Sequence, residues 1–372
     1  MVVNANWKIG SFSRFLQRRT HSTIKDWPNL PNCSNPSYRQ IPGQHLHRLQ
    51  WPSPPRNILL VKKHHDERVR ASVVEFARHV NQAYKDLNIL LEPSVIDDFK
   101  NDLPFAFSPP PHSAVSEYNR IVDAVVTFGG DGTVLHASSL FSKCRMPPVL
   151  SFSLGTLGFL LPFTHHIRDF CDYKLVFDEL VTGKVRLLER TRLQCAAFNV
   201  DGTKLSRGDF SIDITNVMNE VNLHRGREPH LTNLKISIDN RFLTETMADG
   251  LIISTPTGST AYSISAGGPI IHPCVSTILL TPICPASLSF RPLVLPESST
   301  IQLQISENSR GSAEVVLDGR ATCILNKGEY MEIGRGDSIW CVSRGEEWAD
   351  DLRGLLKFNM GFVERGTRSG WE

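Results

Sequence analysis

The sequence predicts an N-terminal α/β domain built on a doubly wound parallel sheet, followed by a β-rich C-terminal domain. Three observations carry that reading. Between residues 58 and 152, short apolar runs alternate with stretches of helical period. A glycine turn, Gly129-Gly130-Asp131-Gly132-Thr133, joins one apolar run to the helical stretch after it. Past about Leu187 helical period becomes scarce and short, often alternating runs take over. Strands that alternate with helices form parallel sheets covered on both faces, whereas serial short strands form sandwiches or barrels.

Taken in order, Ile58-Leu59-Leu60-Val61 reads as the first strand. Val73, Phe76, Ala77, Val80 and Tyr84 then recur at the spacing of one helix face. Ile89-Leu90-Leu91 begins another strand, and the proline-rich piece from Pro104 to His112 reads as a surface loop. Further strands are expected from Val122 to Phe128 and from Val149 to Phe152. Sheets of this kind bind ligands at the carboxyl ends of their strands, where the glycine turn sits. In the second half, strands are expected over residues 193–199, 210–217, 234–238, 251–254, 301–305 and 313–317, and a helix over 348–358.

The N-terminus has a different character. Met1 to Lys25 carries Lys8, Arg14, Arg18, Arg19 and Lys25 and no acid, with serines and apolar residues interleaved. That is the composition of a mitochondrial transit peptide. Residues 27–55, rich in Pro, Asn and Ser, read as a linker or disordered stretch. Over the whole chain of 372 residues the formal net charge is +2, which implies no bulk attraction to nucleic acid or membrane. No apolar run approaches the roughly 20 residues that a membrane span needs. The eight cysteines show no C-x-x-C and no zinc spacing, and they read as reduced thiols.

Three motifs carry chemistry. In the first, a helix start offers unpaired N–H groups and the positive end of a macrodipole, and glycines let an anion approach closely. Asp131 stands out there, because a phosphate repels a carboxylate. Its work is then to take a proton from an attacking hydroxyl or to hold a bridging Mg²⁺. The same turn also fits a plain strand-to-helix connection that Asp131 caps. The second motif is D-G-L-I-I-S-T-P-T-G-S-T-A-Y-S-I-S-A-G-G-P over residues 249–269. It reads as a strand, a break at Pro256 and Gly258, and a helix from Ala261 capped by Ser259 or Thr260. Gly267-Gly268-Pro269 ends that helix after about two turns. Tyr262 and Ser265 share one of its faces. The third is Asn219-Glu220, an amide suited to a base edge beside a carboxylate suited to ribose hydroxyls. On a regular strand the two point to opposite faces, so both serve one ligand only if the chain bends.

Together these blocks resemble the NAD kinase family, which phosphorylates the 2′-hydroxyl of the adenosine ribose of NAD(H). The resemblance covers roughly residues 56–357, and residues 279–285 and 287–296 resemble its eukaryotic branch. It implies a nucleotide cleft between the two domains. It implies that Asp131 is the general base and that Gly129, Gly130, Gly132 and Thr133 form the phosphate turn. Asn219 and Glu220 match residues that bind the dinucleotide, and Asp249, Thr260, Ala261, Tyr262 and Ser265 match positions lining the same pocket. Residues 153–159 resemble the family's second glycine loop, which places Gly155, Gly158 and Phe159 at the nucleotide. One departure is Met247-Ala248, where many relatives have Gly. The implied partners are ATP and NAD(H) as substrates, Mg²⁺ carried by ATP rather than by a protein metal site, and further copies of the chain in a homo-oligomer. No nucleic acid and no membrane partner is implied.

The expected division is therefore a transit peptide and linker over 1–55, an α/β kinase domain over 56–188, a β-rich domain over 189–345, and a segment over 346–372 that packs back on the first domain. The expected compartment is the mitochondrial matrix, with the cytoplasm as the alternative. Two other activities fit part of the pattern. A lipid kinase of the diacylglycerol or sphingosine type shares the first block but lacks the second. A non-catalytic NAD(P)-binding sensor would have no need of Asp131.

Overall fold

The computed structural model describes residues 30–64, 66–111, 114–154, 158–160, 163–164, 170–207, 210–211, 214–227, 229–345 and 348–357. The expected transit peptide, Gly155 and the last part of the C-terminal segment lie outside these residues.

The first half runs β1 (Ser37–Gln40), β2 (Leu46–Gln50), β3 (Asn57–Lys62), α1 (Glu67–Ala83), β4 (Asn88–Leu91), α2 (Ile96–Phe99), α3 (Ala114–Ile121), β5 (Ala124–Gly129), α4 (Asp131–Leu140), β6 (Val149–Ser153), β7 (Phe163–Thr164) and α5 (Phe170–Val181). The second half runs β8 (Arg186–Phe198), β9 (Ser206–Arg207), β10 (Phe210–Ser211), β11 (Thr215–Val217), β12 (Glu220–His224), β13 (Thr232–Ile238), β14 (Arg241–Ala248) and β15 (Gly250–Ser254). A 3₁₀ turn over Thr257–Thr260 then leads to α6 (Tyr262–Ser265), β16 (Thr277–Ile283), β17 (Leu293–Pro296), β18 (Ile301–Ile305), β19 (Ala313–Leu317), β20 (Arg320–Leu325), β21 (Tyr330–Ser343) and α7 (Trp348–Leu356).

β4, β3, β5 and β6 pair in parallel, as the alternating pattern predicts. Every residue of β3, β5 and β6 is buried, which is why these strands read as continuous apolar runs. One face packs on α1, whose Val73, Phe76, Ala77 and Val80 are fully buried. The other face packs on α3 and α4. In the second half, β17, β16, β15, β12, β19 and β20 form an antiparallel sheet. Its inner face packs against β13, β18 and β21 around Leu223, Ile253, Leu303 and Ile333.

The two halves share strands rather than meeting at a linker. β8 and β21 pair with each other from Arg186↔Ser343 to Phe198↔Tyr330. At one end β21 joins β6 in parallel, and at the other it pairs with β18 of the second half. The boundary expected at 188/189 falls inside β8. Arg192 on this strand is fully buried. It donates to the carbonyls of Phe141 at 3.0 Å, Cys144 at 2.9 Å and Asp337 at 3.0 Å. The first two carbonyls follow the last turn of α4, where backbone acceptors lack helical partners and the macrodipole is negative. Burial lowers the guanidinium to about 10.

The linker expected over 27–55 is corrected in part. β1 and β2 form an antiparallel hairpin from Ser37↔Gln50 to Gln40↔His47, and β2 extends the large sheet through Leu46↔Leu188. Leu30, Leu46 and Leu49 are buried, and Tyr38 stacks on Trp340 at 4.1 Å. The buried Asp123 carboxylate accepts from the N–H groups of Ser34, Arg56 and Asn57 at 2.6, 2.8 and 2.9 Å. Short edge strands tolerate proline and polar residues, so the alternation that signals a strand is weak here. The C-terminal α7 has no buried residue, and Trp348 at its start sets its ring edge against His272 at 4.7 Å. No helix among the described residues is long and apolar enough to cross a membrane.

Compared with a chain beginning at Leu30, one beginning at Arg56 loses the burial of three leucines. At about 1.5–3 kcal/mol per side chain, the loss should be several kcal/mol. Urea unfolding of the two truncations checks this, and equal midpoints would refute it.

Candidate active site

β5 delivers the chain to Gly129 at φ +156°, where a side chain would overlap the Thr133 hydroxyl. This turn needs glycine for space. Gly130 is the N-cap of α4 and provides no side-chain cap. At Gly130 and Gly132 an added Cβ meets nothing within 4 Å. The outer side of the turn is therefore open, with the first N–H groups of α4 unpaired within the helix.

α4 begins at Asp131 itself rather than at Val134. The carboxylate does not cap its own helix. Its Oδ2 accepts from Phe159 N–H at 3.0 Å and its Oδ1 from Leu160 N–H at 3.1 Å. Gly158 lies flat against it, and any side chain there would overlap Oδ1. Burial raises the Asp131 carboxyl above its usual value, against the pull of the two N–H groups and the Arg190 charge. Asp131 is thus tied to the loop after β6, which brings Gly158 and Phe159 to the glycine turn.

Arg190, buried on β8, links this loop to the second motif. It donates to the Phe159 carbonyl at 3.0 Å and to the Thr257 hydroxyl at 3.1 Å. The two-turn helix expected after Ala261 is instead a 3₁₀ turn and a single α turn, broken at Ala261 with φ −94° and ψ −124°. Ser259 and Thr260 do not cap it. Their hydroxyls donate to the carbonyls of Pro256 and Thr257 at 2.6 and 3.1 Å, and Ser259 Oγ also accepts from Ile271 N–H at 3.0 Å. Packing holds these short turns: a side chain at Gly258 would overlap the Asn219 carbonyl. That same carbonyl accepts from Thr255 N–H at 2.9 Å, so the second and third motifs are in direct contact.

The bend that Asn219-Glu220 requires is present, and Asp318 makes it. Asp318, at φ +47°, and Gly319, at φ +74°, form the tight turn between β19 and β20. The Asp318 carboxylate accepts from the N–H groups of Met218, Asn219 and Glu220 at 2.9, 2.6 and 3.3 Å. Glu220 is only 7% exposed, and its Oε2 has no hydrogen-bond partner. Burial first, and the Asp318 charge second, push its carboxyl up to about 7. It lines a cavity of ≈ 460 Å³ together with Asp249 and Tyr262. Asp249 accepts from Arg225 Nε at 2.7 Å.

Of the residues singled out from sequence, Glu220, Asp249 and Tyr262 share this cavity. Thr260, Ala261 and Ser265 flank Tyr262 on the two short turns, and Asn219 contributes its main chain. Gly129, Gly130, Asp131, Gly132, Thr133, Gly158 and Phe159 form the other cluster, with Arg190 between the two. Arg190 and Asp318 were not singled out. Their signals in the sequence are modest: two arginines at i, i+2 in an apolar strand, and an Asp-Gly pair between strand-like runs.

The raised Glu220 carboxyl makes stability depend on pH. The folded form holds a proton over the range from the usual 4.5 up to about 7, where the unfolded chain has lost it. Stability of the ligand-free protein is therefore expected to fall as pH rises from about 5 to about 8, by up to about 3 kcal/mol. Glu220→Gln should remove that part of the slope. Urea titrations at both ends of the range check it, and identical slopes for the two proteins would refute it.

Residues 59–185 match the model of the ATP-NAD kinase N-terminal domain and residues 218–340 that of the ATP-NAD kinase C-terminal domain. A mitochondrial NADH kinase of Schizosaccharomyces pombe is 41% identical over 345 residues, covering 91% of this chain and 84% of that protein. A mitochondrial NADH kinase of Saccharomyces cerevisiae is 37% identical over 398 residues, covering 95% of this chain and 92% of that one. The crystal structure of yeast NADH kinase complexed with NADH matches with a TM-score of 0.81 at 39% identity, over 91% of this chain and 98% of that one. An NAD kinase from Archaeoglobus fulgidus, at 19% identity and a TM-score of 0.57, shares the fold. With both of its halves matched in order, the chain belongs to the NAD kinase family.

Proposed function

We propose that the protein transfers the γ-phosphoryl group of Mg-ATP to the 2′-hydroxyl of the adenosine ribose of NAD or NADH, giving ADP and NADP(H). The observation that carries the mechanism is the seat of Asp131. Its carboxylate is fixed at the first residue of α4, facing away from its own helix, between the two open glycines Gly130 and Gly132. Each oxygen accepts one N–H and keeps acceptor capacity for a hydroxyl proton. A carboxyl raised by burial is a better base than one in water. As the ribose oxygen bonds to phosphorus, Asp131 takes its proton and the bond to ADP breaks. The N–H groups of the glycine turn receive the phosphates.

The Glu220 cavity holds the dinucleotide in this reading, with the ribose diol donating to the unpartnered carboxylate oxygen. Among the described residues no three potential metal ligands stand together. The residues present fit a Mg²⁺ that would travel on the triphosphate. Bound there, the ion neutralises charge on the transferring group. We also place the enzyme in mitochondria and as a homo-oligomer. The first rests on the basic N-terminus and the mitochondrial relatives. The second draws support from β14, which among the described residues pairs with β13 alone and exposes Phe242, Leu243 and Met247.

Asp131→Asn is expected to lower kcat about 10²-fold or more while dinucleotide affinity stays within a few-fold. Near-normal turnover on both NAD and NADH would remove Asp131 from the base role. Glu220→Ala should raise KM for NAD(H) by about 10- to 150-fold, the worth of a charged hydrogen bond of roughly 1.5–3 kcal/mol. A rise in KM for ATP instead would reverse the two subsites. A fluorescent reporter fused to residues 1–55 is expected to enter mitochondria, and cytosolic fluorescence would assign the enzyme to the cytoplasm.

A further inference from the structure

α4 carries Asp131 at its first residue. The turn between β19 and β20 carries Asp318, which holds the main chain of Asn219 and Glu220. A second set of contacts joins these two elements directly. Arg320, next after Gly319, donates from Nη2 to His136 Nδ1 at 3.1 Å and from Nη1 to Ser139 Oγ at 3.0 Å. His136 and Ser139 both lie on α4. On its other side, His136 Nε2 lies 2.7 Å from Glu92 Oε2. Glu92 follows β4 and is 4% exposed.

Donor and acceptor roles follow from the chemistry. A guanidinium only donates, so the Nδ1 that faces Arg320 must be bare. The ring proton then sits on Nε2 and is donated to Glu92, which fixes both the tautomer and the plane of the ring. The buried carboxylate thus aims the imidazole, and the imidazole aims the arginine. The path runs from Glu92 through His136 and Arg320 to the Asp318–Gly319 turn, and from there to Glu220.

We propose that Glu92, His136 and Arg320 are positioning residues, a latch that sets the separation between the base on α4 and the dinucleotide cavity at Glu220. This rests on the roles given above to Asp131 and Glu220. Arg320 is exposed, and hydrogen bonds at an exposed guanidinium contribute little to stability. Its contacts nevertheless lie between the two clusters whose spacing decides whether the hydroxyl reaches both the phosphorus and the base. A misplacement of about 1 Å in such a site costs about 10²-fold in rate.

The test is a kinetic double-mutant cycle on the full chain. Arg320→Met and His136→Ala are each expected to lower kcat about 10-fold or more, with KM for ATP unchanged within about twofold. Because both remove the same latch, the double variant should be no slower than the slower single. His136→Asn places an amide oxygen near the lost Nδ1 and should recover most of the rate. In an Asp131→Asn background the latch variants should cost nothing further. Multiplicative losses in the double variant, or wild-type rates in the singles, would overturn the proposal. So would a rise in KM for ATP at constant kcat, which would make Arg320 a phosphate ligand. Melting curves screen each variant for folding. If Arg320→Met does not fold, Arg320→Lys, which keeps the charge but lacks the planar fork that reaches His136 and Ser139 together, takes its place in the cycle. A fully active Asp131→Asn would defeat the assignment of the base, while the coupling of His136 to Arg320 is read independently of it.

Discussion

α4 is held along its length by guanidinium groups that belong to the second half of the chain, and the arrangement of the site depends on them. Arg192 receives the carbonyls after its last turn. Arg320 grips its middle at His136 and Ser139. Arg190 acts at its start through Phe159, whose N–H holds Asp131. An isolated helix of this length is marginal in water. Here its apolar face packs on the sheet through Val134 and Ala137, and cations arriving from strands far along the chain fix its polar contacts. Arginine suits this task because its planar fork satisfies several carbonyls at once and stays charged when desolvated.

The same logic places the cavity at Glu220. Asp318 collects three backbone N–H groups around the start of β12, and so converts what would be a regular strand into a bend. The Asp318 carboxylate is satisfied, whereas the neighbouring Glu220 is left with an unpartnered oxygen. Asp318 builds the frame, and the buried Glu220 is kept available for a ligand. An unpaired buried carboxylate is costly, and such a cost is characteristic of a site that awaits a hydrogen-bond donor.

The parallel strands and the two glycine motifs were legible because each is a local statement: continuous apolar runs, glycines at fixed offsets, a helix-starting carboxylate. What sequence patterning did not convey is which distant groups those motifs would touch. Asp131 meets the loop 28 residues further on, and Asn219 meets Asp318 at a separation of 99. No periodicity encodes either contact. The β1–β2 hairpin was illegible for a different reason. Its pairing gains from edge position and from Tyr38 on Trp340 rather than from alternation. The second motif was legible in chemistry but not in shape, since its helix is broken by contacts with Asn219 and Ile271 that lie outside the motif.

β8 and β21 stay paired from the parallel sheet into the β-rich half, with one bulge between Arg335 and Ser338. A cleft between two lobes on a flexible tether opens by rotation of one lobe against the other. Two long paired strands crossing the divide leave no such axis, because rotation would shear their ladder of hydrogen bonds. The bridge that Arg190 makes from β8, to the Phe159 carbonyl on one side and the Thr257 hydroxyl on the other, is held by the same ladder.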